Sequence, residues 1–271
     1  MMKKYFSYCL LIISIFTAGS CSMNNVSEDN SLKKFFDEKK VDGCFALFDN
    51  GRGEFKIYNL KRDTTRFLPA STFKIVNALI ALQTGVVMNE NSIIKWDSIQ
   101  RPIQNWNQDL SITKAFQYSS VPHFQQIART IGKDSMQKWI DTLSYGNKTI
   151  GNAVDSFWLD NSLLISPDEE LGLVKKIYFD KLPFRKGVQD AVKAMMLQED
   201  NSNYKISYKT GWGYNKEGHA IGWVVGWIEE NRHPYFFVLN TESADPNTDP
   251  ALRKEILYGI LKQLGFFEGK M

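Results

Sequence analysis

Apolar residues along this chain fall into two rhythms. In Gly43-Cys44-Phe45-Ala46-Leu47-Phe48 and in Glu54 to Asn59 they form runs of strand length, and Asp49-Asn50-Gly51-Arg52-Gly53 between them supplies left-handed positions for a hairpin turn. Three more such runs lie near the C-terminus, Tyr204 to Trp212, His219 to Glu229 and Pro234 to Thr241, with turns at Asn215-Lys216-Glu217-Gly218 and Glu230-Asn231-Arg232-His233. The other rhythm is helical: in Pro250 to Phe266, the residues Leu252, Ile256, Ile260 and Leu264 share one face. A long, mainly helical middle runs from about Ser71 to Gln198. The pattern predicts an α+β fold in which both chain ends build an antiparallel sheet flanked by helices, with a helical subdomain inserted between the two groups of strands.

The N-terminus follows a different logic. Lys3 and Lys4 precede an apolar stretch, Leu10 to Ala18, which is short for a membrane span and is followed by small residues. Residues 1–20 therefore read as a signal peptide and imply export to the periplasm. Cys21 after Ala18-Gly19-Ser20 resembles the lipidated cysteine of a bacterial lipoprotein box, although Ala18 stands where Leu is usual; ordinary signal cleavage is the alternative. Residues 21–30 are polar and read as a tether, with possible membrane attachment through Cys21. A single domain is expected over 31–271.

With 43% hydrophobic residues in 271, the chain can bury a sizeable core. Without Lys3 and Lys4, the 33 basic residues nearly balance the 30 acidic ones, so no broad basic field for nucleic acid is present. Cys44 sits among apolar neighbours and reads as packed in a strand. His123, His219 and His233 are isolated, which argues against a zinc site; no metal is expected.

Candidate chemistry begins at Ser71-Thr72-Phe73-Lys74. Ile75, Ala78, Leu79 and Leu82 continue at helical spacing, so the tetrad should open a helix ending near Gly85 and make Ser71 and Lys74 neighbours on one face. Lys74 falls at the edge of the apolar stripe, where burial favours the neutral amine, a form that can act as a base or take up carbon dioxide. Alone, the pattern is common: Ser71 could be a helix cap and Lys74 could reach to water. Two further signals follow in order. Ser119-Ser120-Val121 interrupts the helical subdomain, and Lys209-Thr210-Gly211 ends a strand, where Gly211 lets substrate lie against the strand edge.

The ordered triplet resembles the class D, or oxacillinase-type, serine β-lactamases, whose fold is shared with penicillin-binding proteins; Val121 stands where class A enzymes carry Asn. Tyr145-Gly146-Asn147, Phe157-Trp158-Leu159 with Leu164-Ile165-Ser166-Pro167-Asp168-Glu169, Trp212, and Gly222-Trp223-Val224-Val225-Gly226-Trp227 extend the resemblance over the chain from about residue 31. The resemblance implies hydrolysis of small-molecule β-lactams and antibiotic resistance. Ser71 would be the acylated nucleophile and Lys74 the base, carboxylated by CO2 or bicarbonate, with the Trp158 indole as donor to the carbamate. Ser119, assisted by Lys209, would protonate the lactam nitrogen. The N–H groups of Ser71 and Trp212 would form an oxyanion hole, and Thr210 and Arg253 would hold the substrate carboxylate. Val121, Gly211 and Leu159 would line the substrate site, while Ile103 and Tyr214 would narrow its entrance. Tyr145-Gly146-Asn147 is read as a site-shaping turn.

His123 and Phe124 stand where many relatives carry an aliphatic residue and a tyrosine, and read as a packing change rather than a new titrating group. A non-hydrolysing β-lactam sensor domain and a cell-wall D,D-peptidase are the rival readings. The first usually ends a long membrane protein, and Val121 with the 157–169 motifs counts against the second. The assembly is expected to be a monomer or a homodimer.

Overall fold

The structure is a computed structural model that describes residues 25–271; residues 1–20, expected to be a signal peptide, and Cys21 lie outside the described residues. Among the described residues, nine strands form two sheets: β1 (Val26–Glu28), β2 (Asp42–Asp49), β3 (Glu54–Tyr58), β4 (Ile93–Ile94), β5 (Leu110–Ser111), β6 (Leu197–Asp200), β7 (Lys205–Tyr214), β8 (Ala220–Glu230) and β9 (His233–Ser243). The helices are α1 (Lys33–Glu38), α2 (Leu60–Asp63), α3 (Lys74–Thr84), α4 (Ile112–Gln117), α5 (Val121–Ile131), α6 (Lys133–Leu143), α7 (Pro167–Tyr178), α8 (Lys186–Met196) and α9 (Leu252–Gln263).

The main sheet has seven strands in the order β1-β3-β2-β9-β8-β7-β6, so strands from both chain ends meet where β2 pairs with β9. Its central strands are covered on both faces, which is why β8 and β9 read as nearly unbroken apolar runs. Alternation still sorts them: Ile221, Trp223, Val225 and Trp227 join the core around α3, whereas Val224 and Ile228 join the core under α1 and α9. Each large side chain buried this way contributes roughly 1.5–3 kcal/mol. The turn between β8 and β9 places Asn231 and Arg232 in succession at positive φ, 50° and 65°, the backbone of a tight two-residue hairpin. Cys44 is buried in β2, as expected.

Four sequence expectations need correction. The polar stretch over 21–30 is not all tether: Val26–Glu28 adds an edge strand to β3, with Val26 opposite Phe55, through backbone groups that side-chain polarity does not reveal. That pairing is parallel, so the sheet is mixed rather than purely antiparallel. The tetrad at Ser71 does not begin an α-helix; Ala70–Phe73 form a 3-10 turn and the α-helix starts at Lys74, ending as expected before Gly85 at φ 76°. Finally, Lys209-Thr210-Gly211 lies inside β7 rather than at its end.

Candidate functional site

The chain reaches Ser71 through a constrained approach. Phe67 pairs with Ile165 through reciprocal backbone bonds, the Leu68 carbonyl accepts from the Trp223 indole at 2.8 Å, and Ala70 N–H donates to the Trp158 carbonyl at 3.0 Å. These bonds hold Ala70 at φ 49°, a left-handed conformation that costs a non-glycine residue energy and persists only where the surroundings enforce it. The turn that follows presents Ser71, almost fully buried, toward Lys74.

Lys74 has no exposed surface, and its Nζ lies 2.8 Å from Ser71 Oγ. Burial pushes its ammonium down to about 7, so near neutrality a large share is free amine. The Phe124 ring faces Nζ at 5.5 Å. Trp158 stacks on Phe73, and its indole Nε1 is buried without a hydrogen-bond partner. A buried N–H without an acceptor is costly.

A second lysine closes the other side. Ser119, in the break between α4 and α5, sits at φ 53°, and Lys209 Nζ donates to its Oγ at 3.0 Å and to the Thr210 carbonyl at 2.9 Å. Burial, then the charges of Lys74 and Arg253, hold Lys209 well below the usual lysine range. Outward from Lys209 the edge of β7 has no strand partner, because β6 pairs only with Lys205–Ser207. Arg253, near the start of α9, lies over the Trp212 ring at 5.4 Å, makes no ion pair among the described residues, and has its Nε buried without a partner; burial lowers it to about 10. Arg253 is therefore not engaged by a surface acid.

A Cβ at Gly211 would come within 3.0 Å of the Pro69 carbonyl and 3.2 Å of Thr72 Cγ2, so the missing side chain makes room for the turn that carries Ser71. Val121 opens α5 half-buried, and Leu159 packs partly against the core. Ile103 and Tyr214 are about half exposed, 48% and 46%. Tyr145-Gly146-Asn147 is a turn that docks residues 162–164: Asn147 Oδ1 accepts from Leu164 N–H at 3.0 Å, and its amide donates to the Ser162 carbonyl at 2.8 Å.

Two polar clusters have contacts that the sequence did not foretell. His123 is buried and lowered by burial, but it does more than fill space: Nδ1 lies 2.6 Å from Ser120 Oγ and Nε2 3.0 Å from the Gln108 carbonyl, tying the Ser119 break to the loop before β5. Glu170 is completely buried beneath the Ser71 turn, bonded to Thr72 and Tyr145. Among the described residues, no group of three or more His, Cys, Asp or Glu could hold a metal ion.

The family model for the penicillin binding protein transpeptidase domain matches residues 23–262. The probable β-lactamase YbxI of Bacillus subtilis is 38% identical, covering 97% of this chain and 98% of its own length. The β-lactamase OXA-48 of Klebsiella pneumoniae is 41% identical over 87% of this chain and 88% of its own length. Among solved structures, FUS-1 (OXA-85), a class D β-lactamase from Fusobacterium nucleatum subsp. polymorphum, aligns with a TM-score of 0.85 at 34% identity, covering 89% of this chain and 100% of that one.

Proposed function

This chain belongs to the class D β-lactamases, and on that premise we propose that it opens β-lactam rings with Ser71 as nucleophile and Lys74 as base. The observation that carries the assignment is the 2.8 Å contact between Ser71 Oγ and a Lys74 amine whose proton burial has loosened to about 7. In acylation the Ser71 hydroxyl proton passes to the base, Oγ bonds to the lactam carbonyl carbon, and the C–N bond breaks. The departing nitrogen takes a proton from Ser119, which Lys209 can replenish across its 3.0 Å contact. Deacylation follows once the base on Lys74 has released the Ser71 proton to solvent and Lys209 has regained one. Water then delivers a proton to the base and its oxygen to the acyl carbon, and the base passes the proton to the departing Ser71 Oγ.

Carbon dioxide added to the neutral Lys74 amine would supply a carbamate base, making Lys74 an N6-carboxylysine, and the unpartnered Trp158 N–H supports this reading. The backbone N–H groups of Ser71 and Trp212 form the oxyanion hole, the latter favoured by the free edge of β7. Thr210 and the unpaired Arg253 hold the substrate carboxylate. Val121 and Leu159 line the cleft, and Ile103 and Tyr214 border its entrance.

Export through residues 1–20, cleavage before Cys21, and lipidation of that cysteine belong to the same proposal; the mass of the mature N-terminal peptide tests them. The catalytic reading is tested with a chromogenic cephalosporin at low enzyme concentration, with and without bicarbonate. Many turnovers, faster with bicarbonate and abolished in Ser71→Ala, are expected. A single stoichiometric burst would instead indicate a sensor, and turnover surviving in Ser71→Ala would remove the nucleophile assignment.

A further inference from the structure

Glu170 is the third residue from the start of α7 after Pro167, yet its side chain points inward, fully buried. Its Oε1 lies 2.6 Å from Thr72 Oγ1 and 2.8 Å from Tyr145 Oη, and its Oε2 is buried without a partner. Thr72 Oγ1 also lies 2.8 Å from the Pro69 carbonyl, which accepts the Thr72 backbone N–H as well. A threonine hydroxyl has one hydrogen, and a carbonyl can only accept. If that hydrogen goes to Pro69, the 2.6 Å contact requires a hydrogen on Glu170. The geometry then resolves into a relay: Glu170 O–H donates to Thr72 Oγ1, Thr72 O–H donates to the Pro69 carbonyl, and Tyr145 O–H donates to Glu170. An ionised Glu170 would pull the Thr72 hydrogen away from Pro69 and bury an anionic oxygen with no partner.

We infer that Glu170 is a neutral carboxylic acid acting as a positioning residue, which fastens the Pro69–Thr72 turn under Ser71 through Thr72, and that its ionisation releases this fastening. The relay clamps the segment that carries the strained Ala70, the residue directly before Ser71. Its effect on rate rests on the reading of Ser71 as nucleophile; its protonation does not. Burial, the dominant influence, lifts the acid to about 7, opposed by the bonds that Thr72 and Tyr145 would donate to its ionised form and reinforced by the charge of Glu169 on the same helix. Glu169 is paired with Arg66, Tyr145 is held well above its usual range and stays neutral, and Asp63 on α2 couples to Asp168 rather than to Glu170. A raised carboxyl favours the native state at low pH, and that advantage is lost as pH climbs from the ordinary carboxylate range through about 7.

The test combines Glu170→Gln, Glu170→Leu and infrared spectroscopy of the full chain carrying 13C-labelled glutamate, a label that separates Glu170 from the buried Asp63. In Glu170→Gln, an amide nitrogen at the Oε1 position offers hydrogens to both Thr72 and Tyr145 and does not titrate. Its acylation rate should match the wild type below pH 6 and exceed it by about fivefold at pH 9, the worth of roughly one hydrogen bond, with a melting temperature that gains on the wild type between pH 5 and 8. Glu170→Leu should acylate more slowly at every pH. The labelled wild-type protein should show a neutral-acid carbonyl band at pH 6, where ordinary glutamates are almost wholly ionised, and the band should disappear by pH 9. Absence of the band at pH 6 would overturn the neutral relay even if every variant failed to fold. A Gln-to-wild-type rate ratio that stays flat with pH, or equal rates in the Leu and Gln variants, would overturn the positioning role. If Ser71→Ala still turned over, the infrared and melting readouts would continue to judge the relay by itself.

Discussion

The two faces of the main sheet are packed for different purposes. Beneath α1 and α9, the core is built from aliphatic and aromatic side chains such as Phe45, Phe237, Leu239, Ile256 and Leu257. Around α3 the hydrocarbon is equally dense, with Trp158, Trp223, Phe73 and Phe236 fully buried, but at its seam with β7 it also encloses Ser71, Lys74 and Lys209. In the first region burial supplies stability. In the second it also changes protonation, because removing water from a lysine favours the amine over the ammonium. A large core is thus a reagent as well as a scaffold: it prepares the neutral Lys74 that an exposed lysine could not provide.

This contrast can be broken most severely at Lys74. Lys74→Ala should reduce turnover by about three orders of magnitude or more while leaving thermal stability intact or improved. Native Lys74 gives up its proton near 7 and the unfolded chain near 10.5, so wild-type stability should rise with pH across that window, and the variant should lose the rise. Thermal melts from pH 6 to 10 check the sign. The opposite separation is expected from Phe237→Ala beneath α9, which should cost about 3–5 kcal/mol in chemical denaturation while the folded fraction keeps its kcat. Gly211→Ala should affect both properties, since the added methyl meets the Pro69 carbonyl at 3.0 Å and the Trp223 ring at 3.1 Å; a loss of about 1–3 kcal/mol with slower acylation is expected. Tyr214→Ala should leave stability unchanged, because Tyr214 is 46% exposed, and, if the proposed place at the cleft entrance holds, alter only the ratio of kcat/KM for bulky and compact β-lactams.

The sequence made the two regions legible to different degrees. The C-terminal strands could be placed because burial on both faces leaves continuous apolar runs between polar turns such as Asn231-Arg232. Ser71 and Lys74 were legible because three residues bring side chains together in a 3-10 turn as well as in an α-helix. What spacing could not reveal was the kind of turn, which depends on backbone bonds from Trp158 and Pro69 to residues that carry no such signature. The edge strand Val26–Glu28 was hidden for a related reason: it pairs through the backbone and its residues are half-buried or exposed. Glu170 was concealed by chemistry rather than geometry. Asp168-Glu169-Glu170 in a first helical turn reads as charge suited to the helix dipole, and only the packing of α7 reveals that Glu169 faces Arg66 while Glu170 faces Thr72.

The unpaired edge of β7 also matters for how the chain avoids its own kind. Beyond Ser207 this strand offers backbone groups that a neighbouring molecule could extend into an intermolecular sheet. The unpaired stretch is short, Gly211 within it is buried, Gly211 and Gly213 have low strand propensity, and Lys209 and Ser119 bridge it to the helical insert. Loosening the insert to widen the cleft would therefore uncover an adhesive edge. Engineering for larger ligands should meet a solubility limit before a catalytic one.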